Sequence, residues 1–168
     1  SDPTIYEAFT YYERKVLPHK NDDAINAKAM PGAHAALQAV QDAGLRCALF
    51  TNPSFPQGAI ECRMGWGELT DAPFELVTHM GNATRCKPDA TYYLEQLQVM
   101  GLEPHEVLMV GNDPKRDFPS PDCGIQTAYV GQGKPSRATW RGTMEDFAHN
   151  FNAVVEAFYE HQIADELS

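Results

Sequence analysis

The sequence lacks long apolar runs, since no stretch of its 168 residues approaches the ~20 apolar residues that a bilayer crossing needs. Residues 1–17 (SDPTIYEAFTYYERKVL) contain early acidic residues and lack the basic and apolar regions of a signal peptide. We therefore expect a soluble protein with no membrane partner. Apolar residues make up 43% of the chain and charged residues 21%, which excludes a disordered or collagen-like protein.

Basic residues are in the minority, with 13 Lys and Arg against 23 Asp and Glu and a formal net charge of −10. This charge repels nucleic-acid phosphates, and no strong basic patch offsets it. We therefore expect no nucleic-acid partner.

Cysteine is scarce as well. The four cysteines, Cys47, Cys62, Cys86 and Cys123, form no Cys-x-x-Cys pair and fall within candidate helices and strands. This pattern does not suit a disulfide framework or a zinc site, so we expect reduced thiols and a cytoplasmic location.

Short apolar runs alternate with helical patterns from Pro31 onward. Four runs have the length and composition of buried strands: residues 45–50 (LRCALF), 74–79 (FELVTH), 106–110 (EVLMV) and 126–130 (QTAYV). Helical patterns cover residues 31–43, 58–69, 88–100 and 144–158. The alternation predicts an α/β fold, a doubly wound parallel sheet whose ligand crevice lies at the carboxyl ends of the strands.

The N-terminal part differs from this pattern. Residues 5–17 fit a helix, and the polar residues 19–28 (HKNDDAINAK) fit a linker. We therefore divide the chain into a helical segment, residues 1–30, and an α/β core, residues 31–168. Within the core, residues 134–141 (KPSRATWR) are interpreted as a solvated loop, and Tyr92 and Tyr93 as packing residues on a helix.

Polar and charged side chains follow three of the predicted strands, at the point where each strand ends. In chain order they are Thr51, Asn52, Lys87, Asn112, Asp113 and Asp117. Taken singly, each has an ordinary explanation as a turn, cap or surface residue. Together they would meet at one edge of the sheet, where carboxylates bind Mg²⁺ while an ammonium and a hydroxyl bind phosphoryl oxygens. The sequence thus predicts a phosphoryl-transfer site that still lacks its nucleophile.

The same segments resemble the haloacid dehalogenase superfamily of hydrolases, most of whose members are Mg²⁺-dependent phosphatases. Thr51 in CALFT resembles the second motif of the family, Lys87 in CKPD the third, and Asp113 with Asp117 in VGNDPKRD the fourth. The resemblance extends over about residues 31–130, and residues 51–56 (TNPSFP) are similar to a bacterial branch with a Thr-Asn-Pro-x-Phe-Pro segment.

The resemblance implies a Mg²⁺-dependent phosphohydrolase that acts on a small phosphorylated metabolite through an aspartyl-phosphate. It implies catalytic roles for Thr51, Asn52 and Lys87, and metal binding by Asp113 and Asp117. Asn112, directly after the glycine, occupies a position where the family often has an Asp. The metal ligand at the start of this loop is therefore either Asp113 or Asn112. A true dehalogenase is disfavoured, because that chemistry uses no metal and the acidic pair indicates one.

One family motif is missing from the sequence. In the family, an apolar strand ends in Asp-x-Asp-x-Thr, and the first Asp of this motif attacks phosphorus. That strand lies between the two strands that end, in this sequence, at Thr51 and Val110. No such strand occurs in this chain. We therefore expect an N-terminally truncated piece of a longer protein, inactive alone, in which residues 1–30 end a helical cap. The alternative is a non-catalytic phosphate- and metal-binding or interaction domain.

Overall fold

The computed structural model describes residues 3–135 and 137–166, and its strands are all parallel. Five residues lie outside the described part of the chain. They are residues 1 and 2 of the predicted segment 1–30, residue 136 of the predicted loop 134–141, and residues 167 and 168 of the predicted core 31–168. One sheet pairs β1 (Ala48–Leu49) with β2 (Leu76–Val77). The other places β4 (Gln126–Val130) between β3 (Leu108–Gly111) and β5 (Trp140–Gly142). The predicted α/β fold with parallel strands is confirmed.

Among the described residues, α-helices separate β1 from β2 and β2 from β3, a 3₁₀ turn (Pro121–Cys123) separates β3 from β4, and no helix lies between β4 and β5. The α-helices of the described residues are α1 (Pro3–Tyr11), α2 (Leu17–Lys20), α3 (Ala33–Asp42), α4 (Gln57–Trp66), α5 (Ala90–Met100), α6 (Met144–His149) and α7 (Phe151–Glu166). None of them is both long and apolar enough to cross a membrane.

The strand nearest the centre of the core is β4, whose five residues are all buried. Its bounds are those predicted from the run QTAYV. Ala128 and Val130 contact α3, α6 and α7 through a cluster that also contains Phe147, Phe151 and Val154. A second cluster is built on α5, from Tyr92, Tyr93 and Leu97 with Ile125.

The first two predicted strands are shorter than expected, with two residues each instead of six. Within the described residues, β1 pairs only with β2 and β3 only with β4, so each has a partner on one side. Parallel sheets usually have both faces covered. Here β1 and β2 are only half-buried, although Glu75 N–H also donates to Cys47 O and Thr78 N–H to Leu49 O.

The solvated loop predicted for residues 134–141 is wrong at its C-terminal end. Trp140 begins β5, and its ring contacts the ring of Phe147 edge to face at 5.5 Å. One guanidinium nitrogen of Arg137 is buried and has no hydrogen-bond partner among the described residues. Three residues are too few to show strand periodicity, which explains why the sequence pattern missed β5.

The predicted linker over residues 19–28 is also wrong over residues 19–25, which are helical. The chain stays helical through α1, a π-helical turn, α2 and a second π-helical turn that ends at Ile25. Asn26 then adopts a left-handed conformation with φ 56°. Asn21 supports this ending, because its side chain donates to Ala27 O at 2.9 Å and accepts from Ala27 N–H at 2.6 Å.

Other helix bounds shift for local reasons. Pro31 and Pro88 precede their helices instead of opening them, since Gly32 and Asp89 are the N-terminal caps. The single helix predicted for residues 144–158 is two helices separated at Asn150, whose side chain and N–H both donate to the carbonyl oxygen of Asp146.

Candidate active site

Three loops meet at a cavity of about 500 Å³. The first loop follows β1, the second lies between β2 and α5, and the third follows β3. The three loops therefore come after three successive strands of the chain. The cavity is lined by polar and charged residues together with one proline: Asn52, Lys87, Asn112, Asp113, Pro114, Arg116 and Asp117. Five of the six residues predicted from the sequence therefore line one cavity.

An ion pair joins two of these loops. The ammonium nitrogen of Lys87 lies 2.6 Å from Oδ1 of Asp117, and the two side chains are only 10% and 12% exposed. Charge-assisted hydrogen bonds of this kind are stronger than neutral ones. Asp117 therefore holds the Lys87 ammonium at the wall of the cavity.

The other carboxylate oxygen of Asp117 organises the loop after β3. Its Oδ2 accepts from the backbone N–H of Asn112 at 3.1 Å and of Asp113 at 3.0 Å. Its own N–H donates to Asp113 O at 2.7 Å. Gly111 makes this approach possible, because a Cβ at that position would lie 2.5 Å from the Cβ of Asp117. The four residues thus form one compact turn around the Asp117 carboxylate.

Asp113 offers its carboxylate to the cavity. Oδ1 accepts from the backbone N–H of Lys115 at 3.1 Å and of Arg116 at 3.3 Å, and Oδ2 lies 3.5 Å from Nε of Arg116. The side chain remains 43% exposed, in contrast to that of Asp117. Asp113 is therefore the more accessible of the two carboxylates.

The donor set around Asp113 suits a hard cation in part. Within the described residues, no group of three His, Cys, Asp or Glu side chains is arranged to hold a metal ion. Mg²⁺ commonly takes only one or two carboxylates and completes its octahedron with waters and substrate phosphate oxygens. The Asp113 carboxylate, with the neighbouring Asn112 amide on the same cavity wall, fits that mode.

Thr51 occupies a different position from the other five predicted residues. Its hydroxyl donates to the carbonyl oxygen of Thr78 at 2.8 Å, and it lines an adjoining cavity of about 560 Å³. Asn52 lines both cavities, and its Oδ1 accepts from the backbone N–H of Lys87 at 3.0 Å. The loop after β1 therefore separates the two cavities and contacts the Lys87 loop.

Sequence reasoning missed the part played by α5. Tyr92 and Tyr93 were expected to pack, and both are fully buried, but each hydroxyl also donates to a backbone carbonyl of the site. Burial raises the pKa of both hydroxyls, so they stay protonated and act as donors. A buried tyrosine hydroxyl usually has a hydrogen-bond partner, so the sequence could have indicated that these hydroxyls bond to something, but not to which residues.

Comparisons with known proteins agree with this fold. A family model described as a haloacid dehalogenase-like hydrolase matches residues 6–121. No curated protein matches the chain in sequence.

Three similar crystal structures illustrate the likeness in fold. A β-phosphoglucomutase from Clostridium difficile has 15% identity and a TM-score of 0.64 over 80% of this chain and 58% of its own. An HAD phosphatase from Thermococcus onnurineus has 21% identity and a TM-score of 0.60, over 72% and 57%. An HAD-superfamily hydrolase from Ehrlichia chaffeensis has 15% identity and a TM-score of 0.60, over 92% and 71%.

The chain spans less than two thirds of the length of the first two of these structures. At such identities the structural likeness shows the fold alone. The family model extends further, because it matches more than half of the chain, from the N-terminal helical segment to the loop that contains Asp113 and Asp117. The chain belongs to the haloacid dehalogenase-like hydrolases.

Proposed function

We propose that this chain is the phosphate- and metal-binding core of a Mg²⁺-dependent phosphohydrolase that acts on a small phosphorylated metabolite. The observation that carries the proposal is the single cavity shared by Asn52, Lys87 and Asp113. It combines an ammonium, an amide and an accessible carboxylate, which are the groups that phosphoryl transfer requires. We further propose a cytoplasmic location, where the four free thiols would stay reduced.

Lys87 and Asn52 are assigned to the non-bridging oxygens of the phosphoryl group. Lys87 suits this role because the ion pair with Asp117 fixes its ammonium at the cavity wall. The Asn52 side chain lies beside the Lys87 loop, with its amide oxygen engaged by the Lys87 N–H. Thr51 is assigned a third contact with the phosphoryl group. Because Thr51 lines the adjoining cavity, this contact requires its hydroxyl to leave the carbonyl oxygen of Thr78 and turn towards the first cavity.

Asp113, with Asn112, is assigned to Mg²⁺. The bound cation would neutralise the charge that develops on the phosphoryl oxygens. Asp117 is assigned to orientation of the loop, because its two oxygens already receive the Lys87 ammonium and two backbone N–H groups. Asp113 therefore contributes the charged ligand, and Asp117 keeps it in place.

We propose that the attacking carboxylate comes from a strand outside residues 1–168. Two observations support this: the sequence has no Asp-x-Asp motif, and within the described residues β1 and β3 each pair on one side only. An aspartate oxygen would attack phosphorus, the ester oxygen would leave with a proton from a general acid, and water would then release inorganic phosphate.

The adjoining cavity is assigned to the organic part of the substrate. It meets the first cavity at Asn52 and is lined mainly by apolar side chains, with the cations Lys28 and Arg63 at its wall. Apolar surface with a few polar groups is typical of small-molecule sites.

A non-catalytic phosphate-binding domain is the second candidate function, favoured by the missing Asp-x-Asp motif. Calorimetry with inorganic phosphate and with Mg²⁺ tests the binding that both functions share, and Lys87→Met should abolish the binding of phosphate. Hydrolysis of an aryl phosphate separates them: the 168-residue chain should show none, while a longer natural chain that includes an upstream Asp-x-Asp strand should turn over. Binding without hydrolysis in that longer chain would favour the non-catalytic domain, and no phosphate binding in either chain would refute both functions.

A further inference from the structure

Two adjacent tyrosines on α5 connect the helix to separate loops of the site. The Tyr92 hydroxyl donates to the carbonyl oxygen of Thr51 at 2.6 Å. The Tyr93 hydroxyl donates to the carbonyl oxygen of Asp117 at 2.5 Å. Both side chains are 0% exposed, and their rings meet edge to face at 5.1 Å. Since α5 also follows directly on the loop that contains Lys87, one helix contacts all three loops of the cavity.

Each tyrosine acts on a distinct hydrogen-bond network. Tyr93 holds the residue whose carboxylate receives the N–H groups of Asn112 and Asp113. Tyr92 holds the loop after β1 and also exchanges a hydrogen bond with the Thr78 hydroxyl at 2.9 Å. Among the described residues, these networks meet at Lys87, whose N–H bonds to Asn52 and whose ammonium bonds to Asp117.

We infer that Tyr92 and Tyr93 are positioning residues, with Tyr93 setting the metal-binding loop and Tyr92 the phosphate-binding loop. A packing role alone would need only the rings, as the sequence suggested. The hydroxyls instead bond to two loop carbonyls. The carbonyl of the buried residue Asp117 accepts from Tyr93, and the Thr51 carbonyl accepts from Tyr92 as well as from the Thr78 hydroxyl at 3.0 Å. The inference rests on the proposed function, because that function assigns the metal to one loop and the phosphoryl group to the other.

Amide hydrogen exchange of the ligand-free chain tests the positions directly. Tyr93→Phe should speed exchange at the amides of Asn112 and Asp113 by about 3- to 10-fold, the range for loss of one hydrogen bond. Tyr92→Phe should do the same at Thr51 and leave the Asn112 and Asp113 amides unchanged. Equal acceleration of both loops in each variant, or no acceleration in either, would overturn the inference.

Matched controls separate positioning from stability. Tyr129 is another buried tyrosine, and its hydroxyl accepts from the N–H of Gly133, outside the residues that line the two cavities. Tyr129→Phe should therefore leave exchange in both loops unchanged. The amide of Ala128, in the buried strand β4, reports on the fold, and its loss of protection in Tyr92→Phe or Tyr93→Phe would show that the hydroxyls support the core instead.

Ligand titrations provide the second readout. Tyr93→Phe should weaken Mg²⁺ binding and Tyr92→Phe should weaken binding of inorganic phosphate, each by about 3- to 10-fold. The reverse assignment, or equal loss of both ligands, would overturn the division between the loops. If the unsubstituted chain binds neither ligand, the proposed function fails, while the exchange pattern still decides whether the tyrosines position the loops.

Discussion

The ammonium of Lys87 and the carboxylate of Asp117 form a nearly buried ion pair, with 2.6 Å between Nζ and Oδ1. The pair joins the loop before α5 to the loop after β3, so it contributes both to stability and to the shape of the cavity. Because the two charges are largely removed from water, loss of one partner leaves the other without compensation. The interaction that fixes the Lys87 ammonium, which the proposed function assigns to the phosphoryl group, is therefore costly to break.

Lys87→Met should lower the free energy of unfolding by on the order of 3 kcal/mol, the cost of an uncompensated, nearly buried charge. Urea unfolding measures the loss, and Asp117→Asn completes a double-mutant cycle in which the double variant should lose less than the sum. Arg46→Met is the matched control, because its ion pair with Glu75 is 48% and 35% exposed and should contribute less than about 1 kcal/mol. Additive losses at Lys87 and Asp117 would contradict the coupling.

Gly111→Ala should displace the Asp117 carboxylate, since the new Cβ would lie 2.5 Å from the Asp117 Cβ and 2.8 Å from its Oδ2. Asp117 has little freedom to move because Lys87 and two N–H groups hold it. We expect a stability loss of about 1–3 kcal/mol, as for overpacking elsewhere, together with weaker phosphate binding in calorimetry.

Gly65→Ala controls for the added methyl group, because its Cβ would meet only Thr70 Oγ1 at an ordinary 3.7 Å. It lies in α4, where Ala is favoured over Gly, so stability should be unchanged or slightly higher. A Gly111→Ala variant with normal stability and phosphate affinity would show that the turn around Asp117 adapts easily.

The order of β1 to β4 and of the helices between them could be predicted, because these strands are short apolar runs and these helices show helical periodicity. The same alternation placed Asn52, Lys87 and Asp113 after successive strands, and the structure brings these three to one cavity. What the pattern could not supply is the direction of a side chain within a loop. Thr51 lies beside Asn52 in sequence, yet it lines the adjoining cavity and its hydroxyl bonds to the Thr78 carbonyl.

Tertiary contacts account for the other failures. β5 depends on pairing with β4 and on the contact between Trp140 and Phe147, neither of which leaves a local signal in three residues. The hydroxyl bonds of Tyr92 and Tyr93 reach residues 41 and 24 positions away along the chain. Local propensity gives no information at such separations, so the aromatic pair was interpreted by its rings alone.

Asp146→Asn should remove a stabilising contribution that depends on pH. The Thr143 backbone N–H, followed by its hydroxyl, lowers the pKa of Asp146 from its ordinary 3.8. A carboxyl group whose pKa is lower in the folded than in the unfolded state stabilises the fold at pH values above its unfolded pKa. This stabilisation is lost as the pH falls through the pKa of the folded state. The difference in unfolding free energy between the parent and this variant should therefore be present at about pH 6 and shrink below about pH 4.

Urea unfolding at several pH values measures that difference. Glu145→Gln serves as the charge control, because it removes a carboxylate from the same first turn of α6. A difference between parent and Asp146→Asn that stays constant down to about pH 3 would show that the cap is independent of ionisation.

Asp113→Asn is the decisive substitution for the proposed metal site. Its carboxylate is the accessible one in the cavity, and its amide replacement keeps the shape of the Asp113 turn while removing the charge that a hard cation seeks. We expect Mg²⁺ affinity to fall by at least roughly tenfold in calorimetry, since even outer-shell partners commonly contribute that much. Asp122→Asn, which removes a surface carboxylate outside the cavity lining, should leave the affinity unchanged. Equal affinity in the parent and Asp113→Asn would refute the assignment, because Asp113→Asn removes the carboxylate and leaves the ion pair between Asp117 and Lys87 in place.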